Sequence, residues 1–433
     1  MTPDIFTIAL SCIVVAVALW ASMAANPLFR KFTPWKDIET DEPTNEDDAT
    51  DDNTNDTKAN ATDKSTDTDN ETTDIADTPT SADSNAERAS LSLQSLPKVS
   101  VLVVSNGTPG QMDAHIAAIL AQDYPAGFEV IAVAAKGDSA TEDVLKRHAL
   151  SGKVYTTFVP GRSLFMSRSK LAVTIGVKAA HNEWVLVTDS RYAPVSDKWL
   201  ATMASNCTDD ATDYVLGYTN YTSEATAFER FERLREQAYV LRRAMRSTAL
   251  CTKGANLMFR KSRFIDGDGY RGNLQYLQGE YDFLLNKHAE RGNTTVESRP
   301  DAWLMEDAPS KTTWRNEHMS FINYRNSLNG IVSYRLLHSL DTFFMHFNYL
   351  LSIAATTLAA LTENWILLAT SLSALLFTIV LRTVTLHRVS KRYCAEIPTW
   401  ATIFLELRCF WSSALCKLRY IKADKNEFTS HKL

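Results

Sequence analysis

The sequence has no paired-cysteine motif. Its six cysteines (Cys12, Cys207, Cys251, Cys394, Cys409 and Cys416) form no C-x-x-C pair and no Cys/His cluster at zinc spacing. That argues against a disulfide scaffold or a zinc module and fits reduced thiols in a cytosol-facing protein. Glycine and proline are few, 15 and 13, with no short-period repeat, which excludes collagen-like and solenoid chains. A basic surface for nucleic acid is also missing. The formal net charge is −6, and Asp37 to Leu96 alone holds 18 acidic against 3 basic residues, so no nucleic-acid partner is expected. The acidity is thus confined to one tract, and the rest of the chain is basic. With 45% apolar residues in 433, the chain can build a core, and its length suggests two or three units at about 150 residues each.

What is present begins with apolar runs. Ile5 to Met23 is almost uncharged and approaches the roughly 20 residues a helix needs to cross the hydrocarbon core. Small residues at Ala21-Ser22-Met23-Ala24-Ala25 would suit signal peptidase. However, Met1-Thr2-Pro3-Asp4 lacks a basic residue, while Arg30, Lys31 and Lys36 follow the run. A retained anchor with its N-terminus outside is therefore expected. Phe343–Leu361 and Trp365–Leu381, separated by Thr362-Glu363-Asn364, read as a hairpin of two spans. Basic residues on both sides (Arg325 and Arg335 before; Arg382, His387, Arg388, Lys391 and Arg392 after) put both flanks in the cytoplasm. Trp400 to Tyr420 mixes Phe404, Leu405, Phe410 and Trp411 with Arg408, Lys417 and Arg419, a pattern for a helix lying in the interface. In that topology the seven N-x-[ST] triplets are chance products of an Asn- and Thr-rich chain.

Between the first run and the rest, Asp37 to Asn85 contains Ile38 and Ile75 as its only large aliphatics. Such a segment cannot bury enough apolar surface to offset its ordering entropy and is expected to be a disordered tether. From Val99 the pattern changes. Val99–Val104, Phe128–Ala134, Val154–Val159 and Glu183–Thr188 read as buried strands. They alternate with helical patterns at Gln111–Gln122, Asp138–His148 and Lys170–Ala180. The fold class expected is α/β, an open, mainly parallel, Rossmann-like sheet flanked by transmembrane helices, with ligands bound beyond the carboxyl ends of the strands. Ser105, Ala134 and Asp189 lie at those ends. Thr222 to Leu250 reads as an amphipathic helix packing near the membrane.

The order of motifs resembles that of the inverting, membrane-associated family-2 glycosyltransferases of GT-A fold. The resemblance rests on Gln122-Asp123-Tyr124-Pro125 before Phe128-Glu129-Val130-Ile131 and on Lys170-Leu171-Ala172 with Gly176-Val177-Lys178-Ala179-Ala180. It continues through Glu183–Asp189 with Asp197-Lys198-Trp199-Leu200, then Lys253–Lys261, then Gly279-Glu280-Tyr281-Asp282. It spans about Lys98 to Arg325 and implies transfer of a sugar from a nucleotide sugar to a lipid-linked or glycan acceptor. Such transfer needs the diphosphate leaving group neutralised and a base for the acceptor hydroxyl.

By this resemblance Ser105, Lys170, Asp189 and Arg191 bind the donor and Asp189 contacts a metal. Gly254, Asn256 and Trp314 lie on the acceptor side, and Glu280 or Asp282 is the base. Three departures stand out. The D-x-D position reads Asp189-Ser190-Arg191, so the hold on a divalent metal (magnesium or manganese) is weakened, while Arg191 can itself offset diphosphate charge. Ala134-Ala135-Lys136 offers no carboxylate for a nucleoside. Tyr281 stands at the Asp position of the E-D motif, which leaves Glu280 the better-placed base. A Q-x-x-R-W signature is absent, with Trp314-Arg315 only an echo.

The expected organisation is an anchor at 1–30, an acidic linker at 31–96, a glycosyltransferase-like domain at 97–340, a transmembrane hairpin at 341–382 and a basic cytoplasmic tail with the interfacial helix at 383–433. The expected location is an integral protein of the inner or plasma membrane, with the globular domain in the cytoplasm. The alternative is the same fold without catalysis, serving as a scaffold or regulator of glycan assembly.

Overall fold

The computed structural model describes residues 4–29, 96–106, 108–161, 163–393 and 395–424. The chain divides into Met1–Phe32 with Leu93–Leu433, and Thr33–Ser92. All described residues belong to the first unit; the expected tether, Asp37 to Asn85, lies outside the described residues, as does the acidic linker at 31–96 except for Leu96.

The globular part is an α/β sandwich. Its strands are β1 (Val99–Val104), β2 (Phe128–Ala135), β3 (Val154–Val159), β4 (Trp184–Asp189), β5 (Tyr192–Pro194), β6 (Tyr214–Gly217), β7 (Thr219–Tyr221), β8 (Leu257–Arg260), β9 (Thr294–Glu297) and β10 (Leu304–Glu306). Seven form one sheet in the order β3-β2-β1-β4-β8-β6-β9. Only β8 pairs antiparallel with its neighbours, so the mainly parallel sheet expected from the β-branched runs is what forms. All six residues of β1 and of β4 are buried, the mark of strands covered on both faces. A second sheet, β5-β10-β7, lies past the ends of β4 and β6 in the chain and supplies one wall of the site described below.

In the globular part and around it the helices, in chain order, are α1 (Ile5–Leu19), α2 (Pro109–Leu120), α3 (Ser139–Ala149), α4 (Arg168–Ala179), α5 (Trp199–Ala204), α6 (Ala227–Arg246), α7 (Lys261–Asp266), α8 (Glu280–Asn286), α9 (Lys311–Tyr324), α10 (Ile331–Leu361), α11 (Trp365–Arg392) and α12 (Thr402–Lys422). Their starts follow local chemistry. Thr108 and Gln111 form a capping box with Pro109 in the first turn of α2, which moves that helix two residues ahead of its apolar pattern. A second capping box, Thr226 with Glu229, opens α6.

Among the described residues three helices are long and apolar enough to cross a bilayer: Ile5–Ala24, Ile331–Leu361 and Trp365–Arg392. Their polarity is inverted relative to a water-soluble bundle. Ile5, Leu350, Leu361, Trp365 and Leu376 face outward, while Val14, Ala18, Ala355 and Ala374 pack inside. Polar groups bond between the helices: Asn348 Nδ2 donates to Thr378 Oγ1 (2.9 Å) and Thr356 Oγ1 to Ser371 Oγ (2.9 Å). Small residues and interhelical hydrogen bonds are what hold helices together where lipid supplies no hydrophobic drive. α10 begins at Ile331, twelve residues before the expected span, because Gly330 with φ 80° starts it immediately after the globular part.

Candidate functional site

At the carboxyl end of β4 the chain turns sharply at Asp189-Ser190-Arg191. The Arg191 backbone N–H donates to Asp189 Oδ1 at 2.9 Å, folding the carboxylate back onto its own turn. The Arg191 guanidinium closes the same loop from its side chain, with Nε to Oδ1 at 3.3 Å and Nη2 to Oδ2 at 3.0 Å. Asn106 Nδ2 also reaches Oδ2, at 3.4 Å. Two further carboxylates meet Arg191 Nη1: Glu306 at the end of β10 (3.1 Å) and Glu317 on α9 (2.8 Å). Burial opposes the charge on Arg191, but Asp189 and Glu306 more than offset it and hold the guanidinium protonated. Glu306 also pairs with Arg233 at 3.0 Å. Burial pushes the Glu306 carboxyl up to about 7 against the pull of Arg191 and Arg233.

This cluster forms one end of a cavity of about 410 Å³, whose other walls include Lys253, Gly254, Glu280, Tyr281 and Phe321. Open polar cavities beyond strand ends are where ligands of such sheets bind. Lys253 adopts φ 55°, an uncommon conformation for a residue with a side chain. The surrounding contacts over-determine it. Its ammonium pairs with Glu236 at 3.3 Å and lies 3.2 Å from the Phe321 ring centroid, and its carbonyl accepts from Arg233. Gly254 must be glycine, since a Cβ there would stand 2.3 Å from Thr219 Oγ1.

The two candidate bases differ. Asp282 Oδ1 accepts from the Thr252 N–H (2.8 Å), Thr252 Oγ1 (2.9 Å) and the Lys253 N–H (3.3 Å), and Oδ2 accepts from Tyr324 Oη (2.7 Å). Its lone pairs are committed to shaping the 252–253 turn. Glu280 is in the first turn of α8, and its Oε2 has no hydrogen-bond partner. Burial pushes its carboxyl above the ordinary range, with its own backbone N–H and Lys170 pulling the other way. Of the pair, Glu280 is the carboxylate free to take a proton.

Other sites expected from sequence sit elsewhere. Lys170 is fully buried and does not line the cavity. Its ammonium donates to the Asn273 and Tyr276 carbonyls (2.7 and 2.6 Å), so it pins the loop ahead of α8. Burial brings it down to about 8, with Glu280 opposing. Asn256 is also a structural residue. Its Nδ2 donates to the Tyr218 and Ala302 carbonyls (3.0 and 2.9 Å) and its Oδ1 accepts from Trp199 Nε1 (3.2 Å). Ser105 donates its N–H to Val133 O (2.9 Å) at the end of β1 and is not part of the cavity wall. Trp314 Nε1 donates to Glu232 Oε2 (3.0 Å), behind the wall that α9 forms.

Glu306, Glu317, Arg233 and Lys253 were not singled out from sequence as site residues. Glu306 ends a three-residue strand that no periodicity marks. Glu317 lies three positions beyond Trp314 on one helix, the only signal that could have found it.

The implied metal finds no fit here. Asp189, its expected ligand, has both oxygens engaged by Arg191 and Asn106, and among the described residues no group of three or more His, Cys, Asp or Glu is arranged to hold an ion.

Comparison with known proteins gives a family at this point. The model described as "Glycosyl transferase family 21" matches residues 75–420, taking in the sheet and the two later long apolar helices, α10 and α11. The motif resemblance named family 2, and the match is to family 21. Two solved structures are similar at low identity. One is a mannosyltransferase from Pyrobaculum calidifontis in complex with GDP-Man and Mn2+, with 16% identity over 90% of this chain and 97% of that one, TM-score 0.47. The other is GalNAc-T7 with UDP, GalNAc and Mn2+, with 13% identity over 53% and 48%, TM-score 0.36. No curated protein matches significantly.

Proposed function

The chain belongs to glycosyl transferase family 21, and from that premise we propose that it transfers a sugar from a nucleotide-sugar donor to a lipid-linked or glycan acceptor at the cytoplasmic face of a membrane. The observation that carries this reading is the cavity beyond β4, where cations (Arg191, Arg233 and Lys253) line the same space as Glu280, whose Oε2 has no hydrogen-bond partner. Phosphate oxygens of the donor would meet the cations. Glu280 would accept the proton of the acceptor hydroxyl as it attacks the anomeric carbon, and nucleoside diphosphate would leave. Asp189 acts here as the partner that orients Arg191, and Asp282 holds the wall on which Lys253 and Gly254 stand.

The acceptor would come from the membrane side. α9, which contributes Glu317 and Phe321 to the cavity, leads after a short 3₁₀ turn into α10, and Tyr420 of α12 donates to Asn323 near its end (2.8 Å). A substrate held in the headgroup layer would thus lie close to the cavity mouth. The spans support the topology expected from the basic flanks. Asn364 Nδ2 in the hairpin turn bonds Thr7 Oγ1 at 2.6 Å, and Arg382 Nη1 bonds the Ala21 carbonyl at 2.8 Å. The N-terminus and the hairpin tip therefore share one end of the bundle, and the globular part adjoins the other.

Purified full-length protein tested against a panel of UDP and GDP sugars checks the proposal. Donor turnover is expected, strongly reduced in Asp189→Ala. Turnover unchanged in that variant would overturn the site, and donor binding without turnover would favour the scaffold alternative.

A further inference from the structure

Three carboxylates from separate elements (Asp189 at the end of β4, Glu306 of β10 and Glu317 of α9) surround the Arg191 guanidinium, Asp189 at Nη2 and the other two at Nη1. Asp189 and Glu306 are almost fully buried, at 0% and 5% side-chain exposure. A divalent cation needs its oxygens gathered around one point, at about 2.0–2.1 Å for magnesium, and among the described residues no group is so arranged. The place is taken by a guanidinium instead. Arg191 makes the paired contact with Asp189 that only its planar fork allows, and its Nη1 bridges the other two carboxylates. Its backbone N–H holds Asp189 turned inward as well, so a metal would have to break both main-chain and side-chain bonds to reach the carboxylate. Expelling Arg191 with no charge in its place would leave buried Asp189 and half-buried Glu317 without their ion-pair partner, which is costly. At 26% side-chain exposure, Arg191 still reaches the cavity.

We propose that Arg191 is a built-in substitute for the divalent cation: its guanidinium holds the Asp189 carboxylate that a metal would need, leaves one N–H for a donor phosphate oxygen, and donor binding does not depend on a metal. The inference rests on the nucleotide-sugar reading above and adds that the donor is held without a metal.

The test uses the full chain in detergent, as wild type, Arg191→Asp and Arg191→Lys. Mn2+ binding is followed by electron paramagnetic resonance, and UDP and GDP binding by calorimetry in EDTA or with Mn2+. Wild type and Arg191→Lys are expected to leave the free-ion Mn2+ spectrum intact and to bind nucleotide with the same Kd in both buffers. Arg191→Asp adds a carboxylate and removes the cation, so it is expected to capture Mn2+ and to bind nucleotide about tenfold or more tightly with Mn2+ than without. The proposal is overturned if wild type loses nucleotide binding in EDTA and regains it with Mn2+, or if wild type captures Mn2+ as tightly as Arg191→Asp does. Should Arg191→Asp fail to fold, the wild-type and Arg191→Lys measurements still decide. Failure of wild type to bind either nucleotide in any buffer would remove the donor reading, while the Mn2+ spectra would still decide whether the guanidinium excludes the metal.

Discussion

Asp282 accepts hydrogen bonds from Thr252, Lys253 and Tyr324, and its removal should damage the fold before it damages the chemistry. Asp282→Asn places an amide N–H₂ against donors and is expected to cost about 1–3 kcal/mol, read as a lowered melting temperature. Glu280→Gln should melt close to wild type, since Oε2 has no partner to lose. A second single-residue consequence concerns pH. His115 on α2 is buried with both ring nitrogens unpartnered, and burial brings its pKa down to about 4, with Asp189 opposing. The unfolded chain therefore binds this proton at higher pH than the folded one. Stability from this group is full above about 6.5 and is lost as pH falls towards 4, by about 3 kcal/mol in all. His115→Phe should flatten that part of the stability–pH curve, and an unchanged curve would contradict the assignment. Residue identity alone did not reveal which side chains serve structure. Lys170, Asn256 and Asp282 stand in segments that the motif resemblance marks as functional, and what separates them from Glu280 is the number of partners each finds in three dimensions. That information is non-local. The Arg191 cluster shows the same limit, since Glu306 and Glu317 lie more than 100 positions from Asp189 in the sequence.

Among elements, β1 packs its Leu102 against α4 at Gly176, where a Cβ would come within 2.2 Å of Leu102 Cδ1. The close approach of helix to sheet depends on that missing side chain. Gly176→Val should overpack the interface and destabilise by about 1–3 kcal/mol, measured by chemical denaturation, and Leu102→Ala in the same background should recover part of the loss by making room. The buried strands and their helices were legible because each carries a local signal: apolar, β-branched-rich runs for β1 to β4 and helix periodicity for α2 to α4, while the Thr108 cap that starts α2 two residues earlier was not read. Short elements were not. β5, β7 and β10 have three residues each, too few for a period to show, and they owe their conformation to pairing with one another. Since Glu306 ends one of them, the hidden strands and the hidden site residues have one cause.

Over the whole molecule, the junction of globular part and long helices is built on a buried charge network. Arg382, with no exposed surface, reaches Asp341 Oδ1 (3.1 Å), Glu406 (2.5 and 3.0 Å) and the Ala21 carbonyl (2.8 Å). Asp341 Oδ2 in turn accepts from Arg235 (3.1 Å) and Tyr239 (2.6 Å) of α6. One guanidinium thereby links the helical segment after α1 (Trp20–Ala24) with α10, α11 and α12, and through Asp341 it ties them to α6 of the globular part. Arg382→Met would leave two carboxylates buried and is expected to cost about 3–5 kcal/mol, seen as earlier thermal unfolding in detergent. Melting like that of wild type would show the network to be dispensable. The apolar spans were visible in the sequence as length and composition, but this clasp was not, because Arg382 and Arg235 read there as ordinary flank and helix-surface charges. The clasp holds the cavity at a fixed place relative to the spans, and within that cavity the central claim is that Glu280 removes the acceptor proton. Steady-state transfer by wild type and Glu280→Gln, measured across pH with nucleotide affinity determined in parallel, tests this most directly. Glu280→Gln should lower kcat by about 10²–10⁴ with nucleotide affinity retained. The acidic limb of the wild-type profile should lie above the usual carboxylate range and vanish in the variant. A variant that keeps wild-type kcat and the same acidic limb would contradict the claim.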